Sequence, residues 1–136
     1  MATRPPLVSV IIPTYNRWPM IAEAVQSVLA QTFEAFELIV VDDGSIDNTA
    51  RRLSSSDSRL KIFSQPHAGV AAARNAGVAI SLGKYIAFLD SDDLWSPAKL
   101  EIQADFMERN SGVHISQTQE IWIRGGVRVN PKARHR

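Results

Sequence analysis

Four short apolar runs, each stopped by a polar or charged cluster and each separated from the next by a helical or turn-like stretch, constrain this chain most. Leu7 to Ile12 is β-branched and ends at Pro13, followed by Thr14-Tyr15-Asn16-Arg17. Phe36 to Val41 ends at Asp42-Asp43-Gly44-Ser45, Arg59 to Phe63 precedes Gln65-Pro66-His67, and Tyr85 to Leu89 ends at Asp90-Ser91-Asp92-Asp93. Runs of this length and composition read as buried strands.

Helical patterns fill the intervals. Ile21, Ala24, Val25, Val28 and Leu29 share one helical face, with Pro19 suited to the first turn and the helix ending near Gln31. Ser45 is a plausible N-cap for a short helix reaching Leu53. An alanine-rich helix is expected from Val70 to Leu82, stopped by Gly83. Ser96-Pro97 supplies a cap and first position for a helix running to about Asn110. Strands are expected over 113–119 and 121–129, with Gly125-Gly126 as a hairpin turn.

Strands alternating with helices specify an α/β domain, Rossmann-like, with a mostly parallel sheet flanked by helices. Ligands of such sheets bind beyond the carboxyl ends of the strands, near a topological switch point. The polar clusters Thr14-Tyr15-Asn16, Asp42-Asp43, Gln65-Pro66-His67 and Asp90 to Asp93 should therefore share one rim.

The chemistry of that rim is acidic. Asp90, Asp92 and Asp93 end a buried strand, and carboxylates so close together repel unless something positive offsets them. Mg²⁺ or Mn²⁺ suits hard oxygen ligands and commonly bridges carboxylates to substrate phosphates. Neither G-x-G-x-x-G nor G-x-x-x-x-G-K-[ST] follows the first strand, so a backbone phosphate cradle is unsupported. Asp42 and Asp43 suit hydrogen bonding to a base or ribose, but equally to turn and cap chemistry. Tyr15 suits a ring against a base or a packed aromatic. Arg74 suits a phosphate, a neighbouring carboxylate or solvent, while His67 reads as a turn residue and Trp95 as core.

The 136 residues suit one domain, and a chain without cysteine can use neither disulfides nor thiolate metal sites. No stretch approaches the roughly 20 apolar residues of a membrane span, so the expected location is the cytoplasm, with membrane association in a full-length parent. All 14 acidic residues lie at or before Glu120, whereas five of the 15 basic ones follow it. The resulting basic tail, 121–136, reads as solvated and partly disordered rather than as a nucleic-acid site.

Several stretches in register resemble the family 2 glycosyltransferases. They are Val8-Ser9-Val10-Ile11-Ile12-Pro13-Thr14-Tyr15-Asn16, Ser27 to Phe33, Glu37-Leu38-Ile39-Val40-Val41-Asp42-Asp43-Gly44-Ser45, Gly69 to Gly77 with Ala73-Arg74-Asn75, and Leu89-Asp90-Ser91-Asp92-Asp93. The resemblance spans about residues 7 to 110. It implies a GT-A fold and inverting transfer of a sugar from a nucleotide-diphosphate sugar, a UDP-sugar above all, to an acceptor sugar or polysaccharide hydroxyl. Pro13, Tyr15 and Asp43 then match base-contacting positions, Arg74 a nucleotide-site arginine, and Asp90-Ser91-Asp92 the D-x-D motif. Asn16 and Asp42 join the substrate-binding set with Asp90, and Asp92 and Asp93 are assigned to Mn²⁺ or Mg²⁺.

Such enzymes take their base from an acidic residue in their later half, and Glu101, Asp105, Glu108 and Glu120 stand in no matching motif. The expectation is therefore the N-terminal, donor-binding part of a longer enzyme, competent to bind donor and metal without turnover. A receiver-like Mg²⁺-binding signalling module and a nucleotidyltransferase remain the alternatives.

Overall fold

The structure, a computed structural model, describes residues 5–53, 57–110, 112, 115–117 and 121–124. Its elements run β1 (Val8–Thr14), α1 (Met20–Leu29), β2 (Phe36–Asp42), α2 (Thr49–Arg52), β3 (Leu60–Ser64), α3 (Val70–Ile80), β4 (Tyr85–Phe88), α4 (Lys99–Arg109), β5 (Ile115–Gln117) and β6 (Ile121–Arg124). Among the described residues they form one sheet of order β3-β2-β1-β4-β6-β5. The first four strands are parallel, β6 runs antiparallel to β4, and β5 antiparallel to β6. The parallel order is not the 2-1-3-4-5 of receiver-like modules, which removes that alternative.

Strand alternation sorts the apolar side chains onto two faces. Val8, Val10 and Ile12 of β1, with Leu38 and Val40 of β2, pack beneath α1 and α4 through Ile21, Val25, Val28, Leu100 and Met107. Ile11, Ile39, Val41, Ile86 and Phe88 point to the other face, against Ala73 of α3. Every residue of β1 and β2 is buried, as expected where both faces are covered. The small residues of α3 permit close approach: a Cβ added to Gly77 would sit 2.6 Å from Ile11 Cγ2. Trp95 joins the larger core, as its sequence context suggested.

A second fastening lies at the amino ends of the strands. Glu37 is buried, accepting hydrogen bonds from Ser9 Oγ at 2.6 Å, Lys61 Nζ at 2.7 Å and the Leu82 N–H at 2.6 Å. Burial alone would raise its pKa, but these donors together hold it below the ordinary 4.5. Gly83 N–H donates in turn to Ser9 Oγ.

Several boundaries differ from the sequence expectation. Pro13 does not end β1, which continues to Thr14 opposite Asp42. Pairing with β4 stops at Ile11 and Phe88, with Leu89 N–H closing onto the Ile11 carbonyl. Pro13 therefore turns its missing N–H to a side that has no partner strand. Pro19 occupies the N-cap of α1, just before its first turn. Ser45 does not cap α2; Asn48 does, in a left-handed conformation, because Ser45 Oγ is engaged by Asn16 N–H.

Helix α3 ends at Ile80 with Ser81 extended, so Gly83 does not stop it. Gly83 is required instead by contact, since an added Cβ would lie 2.7 Å from Ser9 N. Helix α4 starts at Lys99 rather than Pro97, the Ser96 carbonyl accepting from Lys99 N–H. The last two strands are described over Ile115–Gln117 and Ile121–Arg124, within the expected spans, and the remainder of those spans, the Gly125-Gly126 turn and residues 125–136 of the tail lie outside the described residues.

Candidate functional site

Strand β1 leads to β2 on one side and, after β3, to β4 on the other, so the sheet reverses between β1 and β4. At the carboxyl ends flanking this switch opens a cavity of about 360 Å³. Pro13, Thr14, Tyr15 and Arg17 line it from β1 and the following loop, Asp43 from the end of β2, and His67, Val70 and Ala73 from the approach to α3 and its first turn. Asp90, Ser91 and Asp92 close it beyond β4. Residues scattered over much of the chain are gathered as the strand pattern expected.

Asp43 organises one wall. Its carboxylate accepts from Gln65 Nε2 at 2.8 Å and from the N–H groups of Ala68 and Gly69 at 2.9 Å each, and lies 2.9 Å from His67 Nδ1. Burial opposes ionisation, but the three hydrogen bonds and the His67 charge outweigh it, holding the carboxyl below its ordinary 3.8. Gly69 meets Asp43 from a φ of +104°, a conformation that side chains rarely adopt. His67, read from sequence as an ordinary turn residue, stacks on Tyr15 with ring centroids 4.1 Å apart and planes 26° from parallel. Together they present an aromatic surface at the cavity wall.

Other expected residues stand behind the lining rather than in it. Asp42 Oδ1 accepts from Ser45 N–H at 3.0 Å, the local turn chemistry weighed for it. Asn16, at φ +52°, accepts from Ile46 N–H through Oδ1 and donates its own N–H to Ser45 Oγ. Asn16 thus joins the loop after β1 to that after β2, whose turn Asp42 holds. Arg74 Nη2 reaches Asp90 Oδ1 at 3.0 Å from α3, and its guanidinium lies 5.9 Å from the Phe88 ring.

Beyond β4 the carboxylates of Asp90, Asp92 and Asp93 are exposed, and one oxygen from each lies within 4.8 Å of the others. One small divalent cation can meet oxygens so spaced, and an all-oxygen donor set suits Mg²⁺ or Mn²⁺. The loop that carries them is fastened to the end of α1. Buried Gln31 donates through Nε2 to the carbonyls of Ser27 at 3.0 Å and Ser96 at 2.7 Å, and accepts Leu100 N–H at 2.8 Å. Ser27 Oγ accepts Trp95 N–H, and Thr32 N–H donates to the Pro97 carbonyl.

The sequence reading did not single out Gln31 or Arg17 for the site. For Gln31 a signal existed, since Ser27 to Phe33 matched the family pattern without an assigned role. Arg17 was legible only as one residue of the cluster after β1. Thr14 was placed on the rim without a role; its Oγ1 is buried and without a partner among the described residues.

The sequence profile of Glycosyl transferase family 2 matches residues 9–132. An uncharacterised glycosyltransferase of Rickettsia felis is 51% identical over 106 residues, covering 76% of this chain and 18% of the relative. A UDP-Glc:alpha-D-GlcNAc-diphosphoundecaprenol beta-1,3-glucosyltransferase of Escherichia coli is 47% identical over 107 residues, covering 77% of this chain and 42% of that protein. The crystal structure of Staphylococcus aureus TarS 1-349 in complex with UDP-GlcNAc superposes with a TM-score of 0.72 at 32% identity, covering 76% of this chain and 32% of its own. The chain thus spans less than half the length of these relatives.

Proposed function

The chain belongs to Glycosyl transferase family 2 and has its GT-A fold, and from that premise we propose that it is the donor-binding part of an enzyme that moves a sugar from a nucleotide-diphosphate sugar to an acceptor hydroxyl. The observation that carries the reading is the acidic trio Asp90, Asp92 and Asp93 at the mouth of the switch-point cavity. A UDP-sugar is the donor favoured, because one relative is named for UDP-Glc and TarS was solved with UDP-GlcNAc. The acceptor is a sugar or a growing polysaccharide.

In this reading the base lies on the wall formed by Pro13, Tyr15 and Asp43, with the Tyr15 ring available for stacking. Asn16 and Asp42 hold the loops behind that wall. Arg74 steadies Asp90 toward the ribose, and Asp92 and Asp93 hold Mn²⁺ or Mg²⁺. When bound, the ion offsets the diphosphate charge and eases its departure. The acceptor hydroxyl attacks the anomeric carbon opposite the leaving diphosphate, with inversion, and yields its proton to a base that no residue here is assigned to supply. Bound donor is therefore expected to persist without turnover. A nucleotidyltransferase would want a basic glycine-rich loop after β1, and the family match argues against one.

Calorimetric titration with UDP, with and without Mn²⁺, tests the reading beside Asp92→Asn and Asp93→Asn. Metal-dependent binding weakened in both variants is expected. Binding indifferent to metal and to both substitutions would refute it.

A further inference from the structure

Arg17 has no place in the family motifs quoted above, yet it lines the same cavity as Asp90 and Asp92. Two of the three carboxylates lining the cavity are already matched, and the third, Asp92, is the one assigned to the divalent cation. Asp43 is occupied by Gln65, Ala68, Gly69 and His67, and Asp90 is paired with Arg74. Among the described residues Arg17 alone of the lysines and arginines lines this cavity, and its guanidinium has no carboxylate partner.

Its backbone is nonetheless held from both sides. Asn16 is tied to Ser45 and Ile46, Trp18 N–H donates to Asp47 Oδ2 at 3.1 Å, and the Arg17 carbonyl accepts Ile21 N–H at 2.9 Å. The Arg52 guanidinium lies 5.1 Å from the Trp18 ring, adding a further hold on this loop. A fixed backbone carrying an unpaired cation into a cavity is arranged for an anion that arrives with the ligand, because little ordering is left to be done on binding.

Resting on the donor-site reading, we propose that Arg17 binds the diphosphate of the nucleotide sugar, opposite in charge to the acidic trio and on the far side of the β1/β4 switch. In transfer, the bond from the anomeric carbon to the β-phosphate oxygen breaks and its electron pair leaves with that oxygen. The new bond forms from the acceptor oxygen, whose proton goes to a general base. The diphosphate thus gains one negative charge, and a guanidinium beside it stabilises the departing group more than the intact donor.

Nuclear magnetic resonance titrations of this chain with UDP and with uridine, in the presence of Mn²⁺, separate phosphate contact from general damage. Arg17→Gln is expected to weaken UDP about tenfold while leaving uridine unchanged, and Arg17→Lys to restore most of the loss, since a hydrogen bond to a charged group is worth about that much. Equal weakening of both ligands would make Arg17 a structural residue and overturn the proposal, as would unchanged UDP affinity in Arg17→Gln. If the unsubstituted chain bound UDP no better than uridine, the donor-site reading itself would fail and this inference with it.

Discussion

The backbone N–H of Gly69 donates to Asp43 Oδ2 at 2.9 Å, joining the start of α3 to the end of β2 across the candidate site. With the Ala68 N–H on the other oxygen, the approach to α3 is folded around a single carboxylate. Asp43→Asn would turn an amide N–H₂ toward one of those donors. A loss of about 1–3 kcal/mol in stability is expected, read as a lower urea midpoint with an unchanged slope. A midpoint equal to that of the unsubstituted chain would show that the contacts carry no weight.

Acid should loosen the domain through Asp43 and Glu37 together. Each binds its proton less readily folded than unfolded, so the stability each contributes is complete above about pH 5 and falls as pH drops through the ordinary values of 4.5 and 3.8 toward the lower folded ones. Glu37→Gln should therefore be less stable than the unsubstituted chain near neutrality, and the gap should narrow toward about pH 3. Urea midpoints across that range measure it; a gap constant with pH would contradict the ionic origin.

Gln31 holds the acidic loop without touching the cavity. Gln31→Ala should cost about 1–3 kcal/mol because the Leu100 N–H loses its partner and the carbonyl of Ser96 loses one of its two. It should also weaken Mn²⁺ binding severalfold, read by the paramagnetic resonance of free Mn²⁺, through displacement of Asp92 and Asp93. Unaltered Mn²⁺ affinity in a destabilised protein would confine Gln31 to the core.

Tyr15→Ala removes the ring stacked on His67. Since such pairs are worth about 0.5–1.5 kcal/mol, UDP and uridine should weaken together, by up to roughly tenfold, with little change in urea midpoint. Arg17→Gln, by contrast, is expected to weaken UDP alone. Retained uridine binding would remove Tyr15 from the base wall.

Strand and helix patterns placed four strands and the three longer helices near their observed positions because both faces of the sheet are buried, leaving little but apolar residues in β1 and β2. Capping was read less well. Ser45 and Ser96 have good N-cap chemistry, but neither caps a helix: Asn16 N–H takes the Ser45 hydroxyl, and α4 begins only at Lys99, with Ala98 at its N-cap. Local preference loses wherever a loop is tied to another loop, as at Pro13, whose tolerance within β1 depends on where β4 stops. The rim itself was legible, since strand order makes carboxyl ends converge whatever their spacing. Which members face the cavity was not: Asp42 and Asp43 are neighbours with opposite destinies, and only the fold says that Asp43 turns inward while Asp42 holds its own turn.

Strand β1 outruns β4 by three residues, from Ile12 to Thr14, beyond their last register pair at Ile11 and Phe88. The opening between them is thus a property of unequal strand length and not of any side chain in its walls. Replacing Tyr15, His67 or Arg17 would refurnish the chamber without collapsing it. In the proposed donor site, a change of nucleotide preference is therefore expected to need substitutions in the loops alone, with the sheet left as it is.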